Sequence, residues 1–196
     1  PMAMPDITPE ETNAVMEVVQ SKRLALGPKI KEFEMLFAEY TNRKHAIAVS
    51  SGTAGLHLAL MALGIGAGDE VLVPAFTMVG SVYPIVQCGA SPVFVDSEPD
   101  TGNMDIQDLE RKITSSTKVI LIVHIYGHPA DMDPICDLAR SRNLKIVEDA
   151  AEAHGALYKG RKAGSLGDVG CFSFYANKII TTGEGGMVVS NDMALI

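Results

Sequence analysis

The chain predicts an α/β domain: a mostly parallel seven-stranded sheet with helices on both faces. Three observations predict it. Apolar, β-branched runs recur at 45–49, 70–74, 92–96, 118–124, 144–149, 169–174 and 185–190. Helical stretches lie between most of them, as crossover connections require. The 196 residues, 47% hydrophobic and 20% charged, suit one domain, or one domain and a fragment of a second, and can bury a substantial core.

Each element has its own signal. A first helix starts at Pro9, with Thr8 as N-cap and Glu11 completing a capping box. Gly27-Pro28 breaks it. A second helix carries Ile30, Phe33, Phe37 and Tyr40 as one apolar stripe. Both helices read as packing elements without chemistry, candidates for a subunit contact. The helix at 53–63 stops at Gly64. Asp133-Pro134 opens another, with Ile135, Leu138 and Ala139 facing inward. The last two strands are separated by too little helix for a crossover, so one of them runs antiparallel.

Charge and composition exclude several function classes. A net charge of −8 argues against a nucleic-acid surface. Lys22-Arg23 and Arg161-Lys162 read as solvated surface, with the alternative that either pair meets an anionic substrate at the mouth of a site. Cys88, Cys136 and Cys171 are odd in number and lack metal or redox spacing, which predicts buried thiols in a reducing compartment. No signal peptide and no apolar run of bilayer length is present, so the expected setting is cytoplasmic, with no membrane partner.

The candidate chemistry lies at strand ends. Lys178 sits in an apolar and aromatic neighbourhood, Phe172 to Ile180, ahead of the glycine-rich stretch from Gly183 to Gly186. Burial favours its neutral amine, the form that condenses with an aldehyde. Ser51-Gly52-Thr53 turns from a strand into a helix and offers free N–H groups and hydroxyls to an anion; a simple N-cap is the alternative. Asp149 closes a strand, where it either keeps a pyridine nitrogen protonated or caps the stretch 150–154. Ser173 either bonds a phosphate oxygen or its own backbone. His124, His128 and His154 lack metal-ligand spacing and read as satisfied polar residues, so no metal is expected. Gly64 to Gly68 does not match the dinucleotide fingerprint, which counts against a nicotinamide dehydrogenase. Jointly these pieces predict an enzyme that uses pyridoxal 5'-phosphate (PLP).

Five stretches carry a resemblance over residues 27–192: SSGTAGLHLAL from Ser50, GDEVLVPAFT from Gly68, VHIYGHPADMD from Val123, VEDAAEAHGA from Val147 and FSFYANKIITTGEGG from Phe172. They are similar to the DegT/StrS-type nucleotide-sugar aminotransferases, PLP enzymes of the aspartate aminotransferase-like class. The resemblance implies a PLP-dependent transferase-like large domain with Lys178 as the Schiff-base lysine and Asp149 as partner of the pyridine nitrogen. Gly52, Thr53 and Ser173 would hold the phosphate, Ser51 would belong to the same cofactor site, and Glu152 would lie near the phenolic oxygen. Met78 stands where the family usually has an aromatic that stacks on the ring. Relatives that dehydrate their sugar carry His at the Schiff-base position, so Lys178 implies transfer of an amino group. The implied donor is an amino acid, glutamate by analogy, and the acceptor a nucleotide-linked keto-deoxysugar. The run from Asn177 to Thr182 resembles enzymes that make 4-amino-4,6-dideoxy sugars. Family members are about twice as long. The expected division is therefore an N-terminal helical segment, 1–27, and a PLP-binding large domain, 28–196, with the small C-terminal domain missing. A homodimer is implied, and so is an alternative: a truncated chain that binds PLP without turnover.

Overall fold

The computed structural model describes residues 4–196. All seven predicted strands are present, each to within one residue at either end: β1 His45–Val49, β2 Glu70–Pro74, β3 Ser91–Val95, β4 Thr117–Val123, β5 Lys145–Asp149, β8 Val169–Ser173 and β9 Gly186–Ser190. A small hairpin, β6 Leu157–Tyr158 and β7 Arg161–Lys162, stands apart and was not read from the sequence. The sheet order is β1-β9-β8-β5-β4-β2-β3. Parallel pairing links β3, β2, β4, β5 and β8, while β9 runs antiparallel to both β8 and β1. Residues 174–185 hold no helix, so the chain can only turn back beside β8, as the short spacing predicted.

Strand alternation splits the core into two layers. Val71, Val73, Val119, Leu121 and Val147 face one side, where α3 (Gly52–Ala62) lays down Leu56, Ala59 and Leu60 and α4 (Val79–Gln87) adds Ile85. Leu72, Ile120, Ile122 and Ile146 face the other, against Leu109 of α5 (Ile106–Lys112) and Met132, Ile135 and Ala139 of α6 (Met132–Arg142). Each such fully buried leucine or isoleucine contributes roughly 1.5–3 kcal/mol.

The N-terminal helices divide in behaviour. Helix α1 (Pro9–Ser21) has the predicted capping box: the Thr8 N–H donates to the Glu11 carboxylate at 2.7 Å, and Thr8 Oγ1 accepts from the Glu10 N–H at 3.2 Å. Yet it buries none of its side chains, so the expected packing role is not met within this chain. Helix α2 (Pro28–Thr41) does pack, joining Phe33 and Phe37 to Phe172 and Phe174 over β8 and β9. Only the middle of its predicted stripe is covered, since Ile30 and Tyr40 remain exposed.

The same alternation turns Glu148 and Asp149 to opposite faces. Glu148 is wholly buried and accepts N–H groups from Gly164 (2.7 Å), Leu166 (2.6 Å) and Gly167 (2.5 Å), clasping the loop before β8. His124 Nδ1 accepts the Ala130 N–H, which leaves Nε2 to donate to Glu148 at 3.0 Å. Burial pushes the Glu148 pKa up, but these donors outweigh it and hold the carboxyl below its ordinary range. Arg161 pairs with Asp133 at 2.5 Å and Lys162 with the Tyr40 carbonyl, so that basic pair is structural surface. Cys171 is buried, Cys88 and Cys136 are half-buried, and all three are free thiols. No helix among the described residues is long and apolar enough to cross a membrane.

Candidate active site

Six strands share one direction, so their carboxyl ends share one edge, where open α/β sheets collect ligands. A cavity of about 590 Å³ opens there. Ser51, Gly52, Thr53, Met78, Asp149, Glu152, Ser173 and Lys178 all line it, so every sequence-predicted site residue meets in one place.

The first wall is the start of α3. Ser51 is its N-cap, accepting the Ala54 N–H on Oγ at 3.1 Å, while the Gly55 N–H bonds the Ser51 carbonyl at 3.0 Å. The N–H groups of Gly52 and Thr53 have no hydrogen-bond partner among the described residues. The cap alternative is realised, since Ser51 closes the helix, and the two residues after it line the cavity with their N–H groups unpartnered. Gly52 serves close packing as well, since a Cβ there would lie 2.9 Å from Ser173 Cβ. Ser173 Oγ accepts the Tyr175 N–H at 3.3 Å, which leaves its O–H free to donate.

The floor is Asp149, a carboxylate 7% exposed. Its Oδ1 accepts the Ala151 N–H at 3.1 Å and its Oδ2 accepts Ser81 Oγ at 2.7 Å. Burial raises its pKa; the Ser81 and Ala151 donors pull back against that without overcoming it. Opposite lies Lys178, whose side chain is 14% exposed and whose Nζ donates to Glu152 at 2.8 Å. The amine expected to stand alone among apolar neighbours thus has a partner here, because Glu152, three residues past Asp149, reaches it.

The remaining rim is aromatic. Phe76 and Tyr126 pack edge to face with centroids 6.2 Å apart, and Met78 is exposed beside them. Tyr126 holds φ 50°, a left-handed conformation that L side chains adopt at a cost. Gly127 follows at φ 83°, where a Cβ would lie 2.8 Å from the Glu152 carbonyl oxygen. The turn after β4 thus rests directly on the backbone that carries Glu152. Reasoning from sequence missed Phe76, Thr77, Ser81 and Tyr126. Ser81 lies on the first turn of α4 and Thr77 just before its N-cap, so no helix-face spacing marked the pair. His124 is satisfied as expected, whereas neither ring nitrogen of His154 has a hydrogen-bond partner among the described residues. Neither basic pair lines the cavity.

The fold and this cavity define the class: an aspartate aminotransferase-like α/β domain. An aminotransferase from Psychrobacter cryohalolentis superimposes with a TM-score of 0.95 at 45% identity, covering 98% of this chain and 50% of that one. The GDP-4-keto-6-deoxy-D-mannose-3-dehydratase of E. coli, solved with bound hydrated PLP, gives 0.95 at 34% identity, covering 100% of this chain and 52% of that one. The chain belongs to the DegT/DnrJ/EryC1/StrS aminotransferase family, whose pattern it matches over residues 5–196. The GDP-perosamine synthase of Escherichia coli O157:H7 is 51% identical over 196 residues, 100% of this chain and 54% of its own length. The chain spans about half the length of the curated relatives it matches.

Proposed function

We propose that this domain carries the PLP site of an aminotransferase that moves an amino group from an amino acid, glutamate by analogy, to a nucleotide-linked keto-deoxysugar. One observation carries the reading: Lys178, Asp149 and the unpartnered N–H groups of Gly52 and Thr53 line a single cavity. The residues fit the cofactor. A phosphate suits the start of α3 with the free hydroxyls of Thr53 and Ser173, and the buried charge of Asp149 suits a protonated pyridine nitrogen. Gly80 keeps the space beside Thr53 open, since a Cβ there would lie 3.0 Å from Thr53 Oγ1.

When bound, PLP supplies an aldehyde that takes up amines and a ring that accepts electron density. The chain's residues do the rest. Lys178 Nζ would hold the cofactor at rest and, once free, would be placed to move the proton at the donor's Cα. Glu152 holds that released amine inside the cavity through the 2.8 Å contact. Asp149 would keep a proton on the ring nitrogen, and Met78 would offer its thioether to the ring.

The relatives support a choice of acceptor sugar. GDP-perosamine synthases are 51% and 52% identical to this chain, which favours a GDP-linked 4-keto-6-deoxy sugar. The division at residue 27 belongs to the reading, as α1 buries nothing while cores form beyond it. So does a homodimer, for which the exposed Val15, Met16 and Val19 of α1 offer an apolar face. A cytoplasmic setting accords with three free thiols.

The test is spectroscopic. Protein loaded with PLP is treated with L-glutamate, and conversion of the cofactor to its pyridoxamine form supports the proposal. Uptake without conversion leaves the alternative, a PLP-binding domain without turnover. No uptake at all overturns both.

A further inference from the structure

We propose that Ser81, backed by Thr77, is the positioning residue for Asp149, its hydroxyl fixing the plane in which that carboxylate faces the cavity. The consequence for the cofactor rests on the PLP reading; the geometry does not.

A carboxylate at the last position of a strand is free to turn about its side-chain bonds. The Ala151 N–H holds only Oδ1, at 3.1 Å. Ser81 Oγ, on the first turn of α4 and 1% exposed, takes Oδ2 at 2.7 Å, so two contacts from different elements define the plane. Thr77 Oγ1 lies 2.8 Å from Ser81 Oγ. Ser81 has one proton, spent on Asp149, so Thr77 is the donor in their contact. A chain of hydroxyls polarised in this sense strengthens its final bond.

The choice of donor matters as much as its place. The neighbouring Glu148 is saturated by three backbone N–H groups and His124, with Arg43 3.9 Å away, and nothing remains of its charge to offer. Asp149 receives one neutral hydroxyl and one N–H. Each oxygen keeps acceptor capacity, and among the described residues no cation bonds to the carboxylate. A lysine or arginine in place of Ser81 would neutralise the carboxylate and compete with a protonated ring nitrogen. A serine stabilises the charge without consuming it. The other groups facing Asp149 are His124 after β4, Cys171 on β8 and Lys178 beyond it; the Ser81 hydroxyl comes from α4 and the Thr77 hydroxyl from the segment just before it, and Glu148 on β5 points to the opposite face.

The experiment compares the 196-residue protein with Ser81→Ala, Ser81→Thr and Thr77→Val in two readouts. One is the titration of the Asp149 carboxyl carbon by NMR in cofactor-free protein. The other is the dissociation constant for PLP by absorbance. Ser81→Ala is expected to raise the Asp149 titration midpoint and weaken PLP about tenfold or more, the usual loss for a hydrogen bond to a charged group. Ser81→Thr should restore both, and Thr77→Val should move both in the same direction by less. An Asp149 titration unmoved by Ser81→Ala overturns the inference even if PLP binds normally. Should the unmutated protein take up no PLP, the functional reading fails while the NMR comparison still decides the role of Ser81. If Ser81→Ala does not fold, Thr77→Val decides, and no upward shift there overturns the inference.

Discussion

Acidification should unfold this domain through His154. The ring is 7% exposed and packed among Phe37, Phe172 and Phe174, with centroids 6.5, 5.4 and 5.5 Å away. Burial pushes its pKa down to about 4 from an ordinary 6.5, and the Lys178 ammonium adds to the effect. The unfolded chain takes up the proton near pH 6.5, whereas the folded chain resists until about 4. Between those values the unfolded state binds more protons, so stability falls as pH falls. From pH 7.5 to 5 the loss amounts to about 2 kcal/mol, or roughly 1 M in the urea midpoint. Glu148 acts in a separate window, since its folded pKa is lowered and its contribution disappears only below the ordinary carboxylate range. Urea unfolding of the unmutated protein and of His154→Leu at pH 7.5, 6 and 5 isolates the term. The unmutated protein should lose about 2 kcal/mol more than the variant over that span. Parallel losses in the two proteins would refute the assignment.

Three further substitutions probe the two neighbouring carboxylates and the start of α3. Burial raises the Asp149 pKa, so its ionised form costs stability once the pH is above that raised value. Asp149→Asn should therefore melt no lower than the unmutated protein at neutral pH, yet lose PLP affinity at least about tenfold, read by absorbance titration. Glu148→Gln should behave oppositely in melting: its amide cannot accept three N–H groups, and breaking so buried a charge cluster costs about 3–5 kcal/mol. Gly52→Ala would set a Cβ 2.9 Å from Ser173 Cβ, pushing α3 off β8 at a cost of about 1–3 kcal/mol in chemical denaturation and weakening PLP.

Much of the frame was legible because its signals are local. The seven strands announced themselves as β-branched runs, and the antiparallel β9 followed from the chain left to reach it. The site pieces were legible one at a time, since a strand-ending carboxylate and a Ser-Gly-Thr turn each have short-range signatures. What the sequence could not carry was long-range complementarity. Ser81 reads as an ordinary helix residue until α4 is laid over β5, 68 positions away. Lys178 read as a lone amine among apolar neighbours; its contact with Glu152 arises only once the turn after β5 is folded. The hairpin of β6 and β7 escaped because two-residue strands are too short for any period. Helix α1 read as a packing element because a capping box marks where a helix starts, not what covers it.

The account stands on a covalent link between PLP and the amine at position 178. Protein incubated with PLP, reduced with borohydride and digested should yield a phosphopyridoxyl group on the peptide carrying Lys178, and Lys178→Ala should remove it. Label spread over surface lysines such as Lys29 and Lys118, with none at Lys178, would contradict it.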